Sequence, residues 1–381
     1  MRIPTGINAR DRLLLERAQK TLLNNVIQST GADGLSPYGS LRGIAPSPRT
    51  YPGVWNWDAA FHMVAVSRFD AELARDQARI LFSRQLESGQ LADVLYANGD
   101  SVYRFTKPPV LAWAIIQADA HAPDATFLAD CYPHLEQNLG WWERERFDGT
   151  LFSYRVSKME SGWDNTPRFD FPNRIDWCYA IDLNVYMVLF YDAMAKISAR
   201  IGKAEQTGAY EQKKSVLENR MERILFDERR GYYCDYNRVL RRSTGRLSPA
   251  SFLPLFAHTA TKQHAEAMAN CAASERAFYP GLPTIAYADK AYRSGKYWRG
   301  PTWLNTAYFA IQGLYDYGYS PLAQEFTETI LQWCANEPDA IFEYYDSRSG
   351  KGLGARDFGW SAVFIIELIL GKYAARGGSL S

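Results

Sequence analysis

Apolar side chains recur at helical spacing along nearly all of this chain, and hardly anywhere do they alternate as a strand requires. The blocks fall at 9–27, 58–69, 70–85, 108–118, 125–146, 179–200, 204–226, 248–256, 262–273, 302–317, 321–333 and 361–374. In the first of them Leu13, Leu14, Ala18, Leu22, Val26 and Ile27 carry the period. Asp70 suits an N-cap, and Pro108-Pro109 suits a first helical turn. The stretches 31–49, 90–107 and 279–301 read as loops, and 227–246 as a small hairpin or loop. Connections alternate between short and long. Antiparallel helix pairs joined this way close into an α/α toroid, with the long loops gathered over one face. An α-solenoid would show a fixed repeat period instead, and none is present. No linker or low-complexity tract divides the sequence, so an all-α fold in a single domain over 1–381 is expected.

Charge narrows the partners. The 43 basic and 42 acidic side chains leave a formal charge of +1, which offers no electrostatic basis for a nucleic-acid or membrane partner. The aromatic complement of 11 Trp, 24 Tyr and 19 Phe exceeds what a core demands. That surplus suits rings stacked on the apolar faces of sugars. Five cysteines, widely spaced and odd in number, read as reduced, mostly buried thiols of a cytosolic protein. The five histidines make no metal-binding pattern, so neither a metal nor a cofactor is expected. The first residues lack the apolar region of a signal peptide, and no apolar run is long enough for a membrane span. Oligomeric state is not legible.

Four loop stretches set charge beside aromatic rings. They are Trp55-Asn56-Trp57-Asp58, Glu160 to Asp170, Tyr297 to Trp303, and Phe342-Glu343-Tyr344-Tyr345-Asp346 leading to Gly352 to Asp357. The second holds three carboxylates, an Arg and a Trp among Gly162, Asn165 and Pro167, which resist regular structure. A loop of that composition between two helical blocks reads as a site. Blander readings stand beside this one. Asp58 could cap its helix, Asp164 could make an Asx-turn, and any Trp near a helix start could be core.

Five motifs in order carry a resemblance: Trp57-Asp58-Ala59-Ala60-Phe61, Glu160-Ser161-Gly162-Trp163-Asp164-Asn165, Asp182-Leu183-Asn184, Tyr297-Trp298-Arg299-Gly300-Pro301 and Gly352-Leu353-Gly354-Ala355-Arg356-Asp357. Together they resemble the clan of inverting glycosidases that includes glycoside hydrolase family 63 and the trehalases. The nearest likeness is to the bacterial family 63-type enzymes, among them mannosylglycerate and glucosylglycerate hydrolases. The resemblance implies an (α/α)6 barrel without the extra N-terminal β domain of larger members.

It also implies roles. Asp164 is the acid that protonates the leaving oxygen, and Trp163 beside it would raise its pKa. Glu343 is the base that activates water, with Asp346 and Asp357 as nearby rivals. Asp58 binds sugar hydroxyls. Arg299 binds hydroxyls or holds a carboxylate. Trp55, Trp57, Trp163, Trp298 and Trp303 are candidate stacking platforms, with Phe61, Arg168 and Tyr345 also counted as substrate contacts. Arg168 is expected to pair with Asp170 or Asp176, and Arg356 with Asp357. Asp182 and Asn184 are structural polar groups behind the site. The expected substrate is a small α-glucoside or α-mannoside, such as a glycerate conjugate or an α-glucodisaccharide. For a glycerate carboxylate, Arg168, Arg348, Lys351 and Tyr345 are the candidates. Two rivals remain: a sugar epimerase on the same scaffold, for which His62 lies one turn past Asp58, and a non-catalytic sugar-binding protein.

Overall fold

The computed structural model describes residues 1, 3–27 and 38–375. Positions 31–37 of the expected loop 31–49 lie outside the described residues. Among the described residues the chain forms twelve α-helices: α1 (Ala9–Asn24), α2 (Asn56–Val66), α3 (Ala71–Ser83), α4 (Leu111–His121), α5 (Ala125–Arg146), α6 (Ile181–Arg200), α7 (Ala204–Leu225), α8 (Leu253–Phe256), α9 (Lys262–Ala273), α10 (Leu304–Asp316), α11 (Ser320–Asn336) and α12 (Gly359–Ala375). Helix starts follow local chemistry. The side chains of Asn8, Asp70, Asp124 and Thr261 each accept a hydrogen bond from a backbone N–H of the first turn they precede.

Burial sorts the helices into two rings. Every residue of α2 is buried, whereas α7 buries only Tyr210, Leu217, Met221 and Leu225 of its 22. A helix apolar all round must be enclosed; one with an apolar stripe can face water. The enclosed helices α2, α4, α6, α8, α10 and α12 pack each on the next, and α12 returns to α2. Outside them, α1 packs on α12, α3 on α2, α5 and α7 on α6, and α11 on α10. This is the expected (α/α)6 barrel. Its middle is filled rather than open. Phe309 sits 6.0 Å from Phe61, 5.7 Å from Trp113 and 4.7 Å from Phe256, ring centre to ring centre. Phe61, expected at the substrate, belongs to this plug and is fully buried.

The loops carry ten short strands: β1 (Gly53–Trp55), β2 (Val94–Tyr96), β3 (Ser101–Val102), β4 (Cys178–Tyr179), β5 (Phe226–Asp227), β6 (Tyr232–Tyr233), β7 (Tyr236–Asn237), β8 (Arg242–Ser243), β9 (Phe342–Tyr345) and β10 (Gly352–Arg356). Two of the pairings position the site. β2 lies between β1 and β3 in an antiparallel sheet, and β9 pairs with β10 as a hairpin. Stretches 90–107 and 342–346 were expected to be loops. Strands of two to five residues have too few positions for alternation to show in sequence. All five cysteines are free. No helix among the described residues is long and apolar enough to cross a membrane.

Candidate active site

The Glu160–Asp170 stretch folds as two short 3-10 turns about a tight bend. Its three carboxylates have separate fates. Glu160 is buried, paired with Arg146 at 2.7 Å, and accepts the N–H groups of Arg155 and Val156. Asp170 pairs with Arg299 at 2.6 Å and Lys158 at 2.5 Å. Asp164 keeps its oxygens free for other work: Oδ1 has no hydrogen-bonding protein partner, and the nearest cation is Lys107, 4.0 Å away. Burial pushes the Asp164 pKa up, and the Lys107 ammonium pulls it partly back. Gly162 ends the first turn at φ +75°, and a Cβ there would enter the Trp57 indole. The bend therefore lies directly against the start of α2. Asn165 fixes the other side, accepting the Trp298 N–H at 2.8 Å while Arg299 Nη1 donates to its carbonyl at 3.0 Å.

α2 is tied to β2 at its first residue. Asn56 N–H donates to the Asp93 carbonyl at 2.9 Å, and its side-chain amide donates to Ala92 O at 3.0 Å. This brings Asp58 and Asp93 to one wall. Burial drives the Asp58 pKa far upward, with Lys107 opposing. Asp93 is raised by burial to about 6, against the pull of Lys107 and with the help of Asp164. Lys107 Nζ donates to Met159 O at 2.8 Å and stands 3.8 Å from Asp93. One ammonium is thus shared by two carboxyl groups.

Glu343 arrives from the opposite side on β9, where the strand period buries Glu343 and Tyr345 and leaves Phe342 and Tyr344 partly open. Oε2 accepts the Ala355 N–H of β10 at 2.9 Å; Oε1 accepts the hydroxyls of Tyr51 at 3.2 Å and Tyr297 at 3.4 Å. Burial raises its pKa, these three donors lower it, and the charge of Asp164 raises it again. The two carboxyl groups therefore sense each other across 179 positions of sequence. Both line one cavity of about 360 Å³, along with Asp58, Asp93, Lys107, Tyr51, Trp55, Trp57, Tyr297, Trp298 and Trp360. Three roomier cavities, of about 720, 520 and 460 Å³, contain neither Asp164 nor Glu343.

Of the expected contacts, Trp55, Trp57, Asp58 and Trp298 reach this cavity and six do not. Arg168 is fully buried, chelating Asp182 at 2.8 and 2.9 Å and Asp235 at 2.6 and 3.0 Å. Its donors are spent on those two carboxylates rather than on Asp170 or Asp176, leaving none aimed at a sugar. Arg299 is held by Asp170 and Asn165, bracing the bend. Trp163, Trp298, Trp303 and Tyr344 form a continuous stack with successive ring centres 5.1, 3.8 and 4.6 Å apart. Trp163 and Trp303 are consequently core. Trp298 has both faces covered and cannot offer one to a substrate. Tyr345 is fully buried beneath the hairpin, and Phe61 lies in the barrel plug. Asp346 is engaged by Ser294 and the Arg348 and Ser349 N–H groups. Arg356 donates to Asp339 O instead of pairing with Asp357.

Sequence reading missed Tyr51, Asp93, Lys107, Tyr297 and Trp360. Tyr297 is the first residue of one of the five motifs, with no role assigned to it there, and Tyr51 lies just before another. Asp93 and Lys107 lie in a stretch with no legible pattern, and only the β1–β2 pairing brings them in.

A closed double ring of helices whose loop face gathers carboxyl groups and aromatic rings in one cavity fits a glycosidase of the (α/α)6 class. The mannosylglycerate hydrolase MGH1-like glycoside hydrolase domain matches residues 51–361, and the chain belongs to that family. It is 24% identical to the mannosylglycerate hydrolase of Rubrobacter radiotolerans, over 85% of this chain and 92% of that protein. The family 63 mannosylglycerate hydrolase of Thermus thermophilus, solved with Tris and D-glycerate, shares the fold. Its TM-score is 0.81 at 22% identity, covering 94% of this chain and 100% of that one. The neutral trehalase Nth1 of Saccharomyces cerevisiae shares it too, with a TM-score of 0.69 at 15% identity, covering 93% and 79%.

Proposed function

We propose that the chain is one catalytic domain that hydrolyses a small α-glucoside or α-mannoside with inversion, Asp164 acting as acid and Glu343 as base. The observation that carries this is the contrast between two carboxyl groups in one cavity. Glu343 receives three hydrogen-bond donors, which favour its charged form and offset part of the net rise that burial gives its pKa. Asp164 has an oxygen with no protein donor and is buried, which favours its proton. Asp164 gives that proton to the glycosidic oxygen as the C1–O bond breaks. Glu343 takes a proton from the water that bonds to C1 on the opposite face. Inversion calls for a separation of roughly 6.5–9.5 Å, leaving room for that water. Asp58, Tyr51 and Trp55 line the cavity and are the groups assigned here to the sugar. The relatives' names bring a mannosyl conjugate of glycerate as one candidate substrate, with its glucosyl counterpart beside it, and an α-glucodisaccharide is the other. Among the described residues no histidine lines the cavity, which argues against the epimerase reading.

Asp164→Asn and Glu343→Gln should each lower kcat by about 10²–10⁴-fold, the usual worth of a positioned acid or base. Near-native turnover in either variant refutes that assignment. Proton NMR of the first-formed sugar should show the β anomer from an α-linked substrate; the α anomer would exclude inversion.

A further inference from the structure

Asp93 lines the cavity but has no part in the reaction just described. Its main chain is fixed from both sides: Asn56 N–H donates to Asp93 O at 2.9 Å, and Asp93 N–H donates to Val102 O at 2.7 Å. The residue is 3% exposed, yet Oδ1 has no hydrogen-bonding partner among the described residues. A carboxyl group buried that deeply and left open at one oxygen is costly unless opposite charge faces it. The charge is that of Lys107, 3.8 Å away.

Lys107 is held from two directions. Its backbone sits at φ +49°, strained for a side chain of that size, and Nζ donates to Met159 O at 2.8 Å. From there the ammonium stands 3.8 Å from Asp93 Oδ1 and 4.0 Å from Asp164 Oδ1, bonded to neither. Elsewhere in the protein a buried ammonium closes fully on a carboxylate: Lys372 reaches Asp11 at 2.6 Å. The other titratable groups lining the cavity are Tyr51, Asp58 of α2, Tyr96 of β2, Tyr297 before α10 and Glu343 of β9, and none of them is a cation.

That balance matters to a general acid. A carboxyl group closed onto a lysine is held as carboxylate and has no proton to give. Burial raises the Asp93 pKa to about 6 against the pull of Lys107, with the charge of Asp164 adding to the rise. Above that pH Asp93 is charged and competes for the ammonium.

We propose that Asp93 is a positioning residue for the hydrolysis: it draws the Lys107 ammonium back from Asp164, so that the acid meets the glycosidic oxygen outside an ion pair. This rests on Asp164 being the glycosidic acid, and it deepens that reading by naming the group that keeps the acid free.

The pH profile of kcat/KM tests it, with the fastest cleaved of α-mannosylglycerate, α-glucosylglycerate and trehalose as substrate. Asp93→Asn frees Lys107 to close on Asp164, so the alkaline limb should move down and kcat/KM on its falling side should drop by about threefold or more. In the Lys107→Met background the same replacement should change kcat/KM there by less than about twofold, because no ammonium is left to divide. Asp93→Ser, which keeps both backbone hydrogen bonds, gives the same reading should the Asn variant fail to fold. A limb that stays put or moves up in Asp93→Asn overturns the proposal; loss of turnover in Asp164→Asn then leaves the acid assignment standing. A downward move of equal size with and without Lys107 overturns it too, since Asp93 would then act on Asp164 by its own charge. No cleavage of any of the three substrates overturns the functional reading and this proposal with it.

Discussion

Lys107 shows how one side chain sets the chemistry of others. It opposes the upward push of burial on both Asp164 and Asp93. Removing its charge leaves burial unopposed, so Asp164 stays protonated to higher pH. With Asp164 as the proposed acid, Lys107→Met should therefore move the alkaline limb of the kcat/KM profile upward, since that limb would report loss of its proton. A limb that stays put or moves down would separate Lys107 from the acid. At this scale sequence is a poor guide. The loop from Glu160 to Asp170 presents three carboxylates that look alike on paper. What distinguishes Asp164 is that Arg146, Arg299 and Lys158 are taken by its neighbours. Arg299 reaches Asp170 from 129 positions away, and Arg146 reaches Glu160 from the end of α5. No local pattern predicts that sorting.

Among the elements, the β9–β10 hairpin holds Glu343 in place. Gly354 has φ +76°, and a Cβ there would stand 2.5 Å from Glu343 Oε2. Gly354→Ala should lower kcat by more than about tenfold by displacing Glu343, the proposed base, with a stability loss of only about 1–2 kcal/mol from the strained backbone. Steady-state kinetics alongside a thermal melt would show this imbalance; a large melt shift with unchanged kcat would contradict it. The Asp164 bend depends on a different device. Arg168 joins it to Asp182 at the start of α6 and to Asp235 before β7, all three buried. Replacing Arg168 with Met leaves two buried carboxylates with backbone N–H donors but no cation, and urea unfolding should register a loss of about 3–5 kcal/mol. The helices themselves were legible because their apolar faces repeat over many turns, and α5 and α9 begin and end where the period does. The hairpin was read as loop because Gly352 and Gly354 mask a five-residue strand.

Over the whole molecule, the ring is bound at its seam by charge as well as packing. Asp11 of α1 is buried against Lys372 of α12 at 2.6 Å and accepts the Tyr373 hydroxyl at 3.0 Å. Burial raises the Asp11 pKa, but the bonds from Lys372 and Arg10 outweigh it and the net shift is downward. A carboxylate with a depressed native pKa contributes stability that is complete above its unfolded value, about 3.9, and drains away as pH falls through the native one. Asp11→Asn should thus cost about 3 kcal/mol or more at pH 7 and about 1 kcal/mol less than that at pH 3. Urea midpoints at the two pH values measure the difference; an equal loss at both would mean the pair's charge is not what joins the seam.

The sequence alone determined the helical class, the pairing of helices into a toroid, and the positions of both carboxyl groups nominated for catalysis. Periodicity and residue type are local properties, and a chain displays them before it folds. Which rings face the cavity, which cations are already engaged, and that Asp93 and Lys107 join Asp164 were decided only in three dimensions. A side chain's protonation and availability depend on neighbours brought from distant segments, and burial within the closed ring makes those neighbours count.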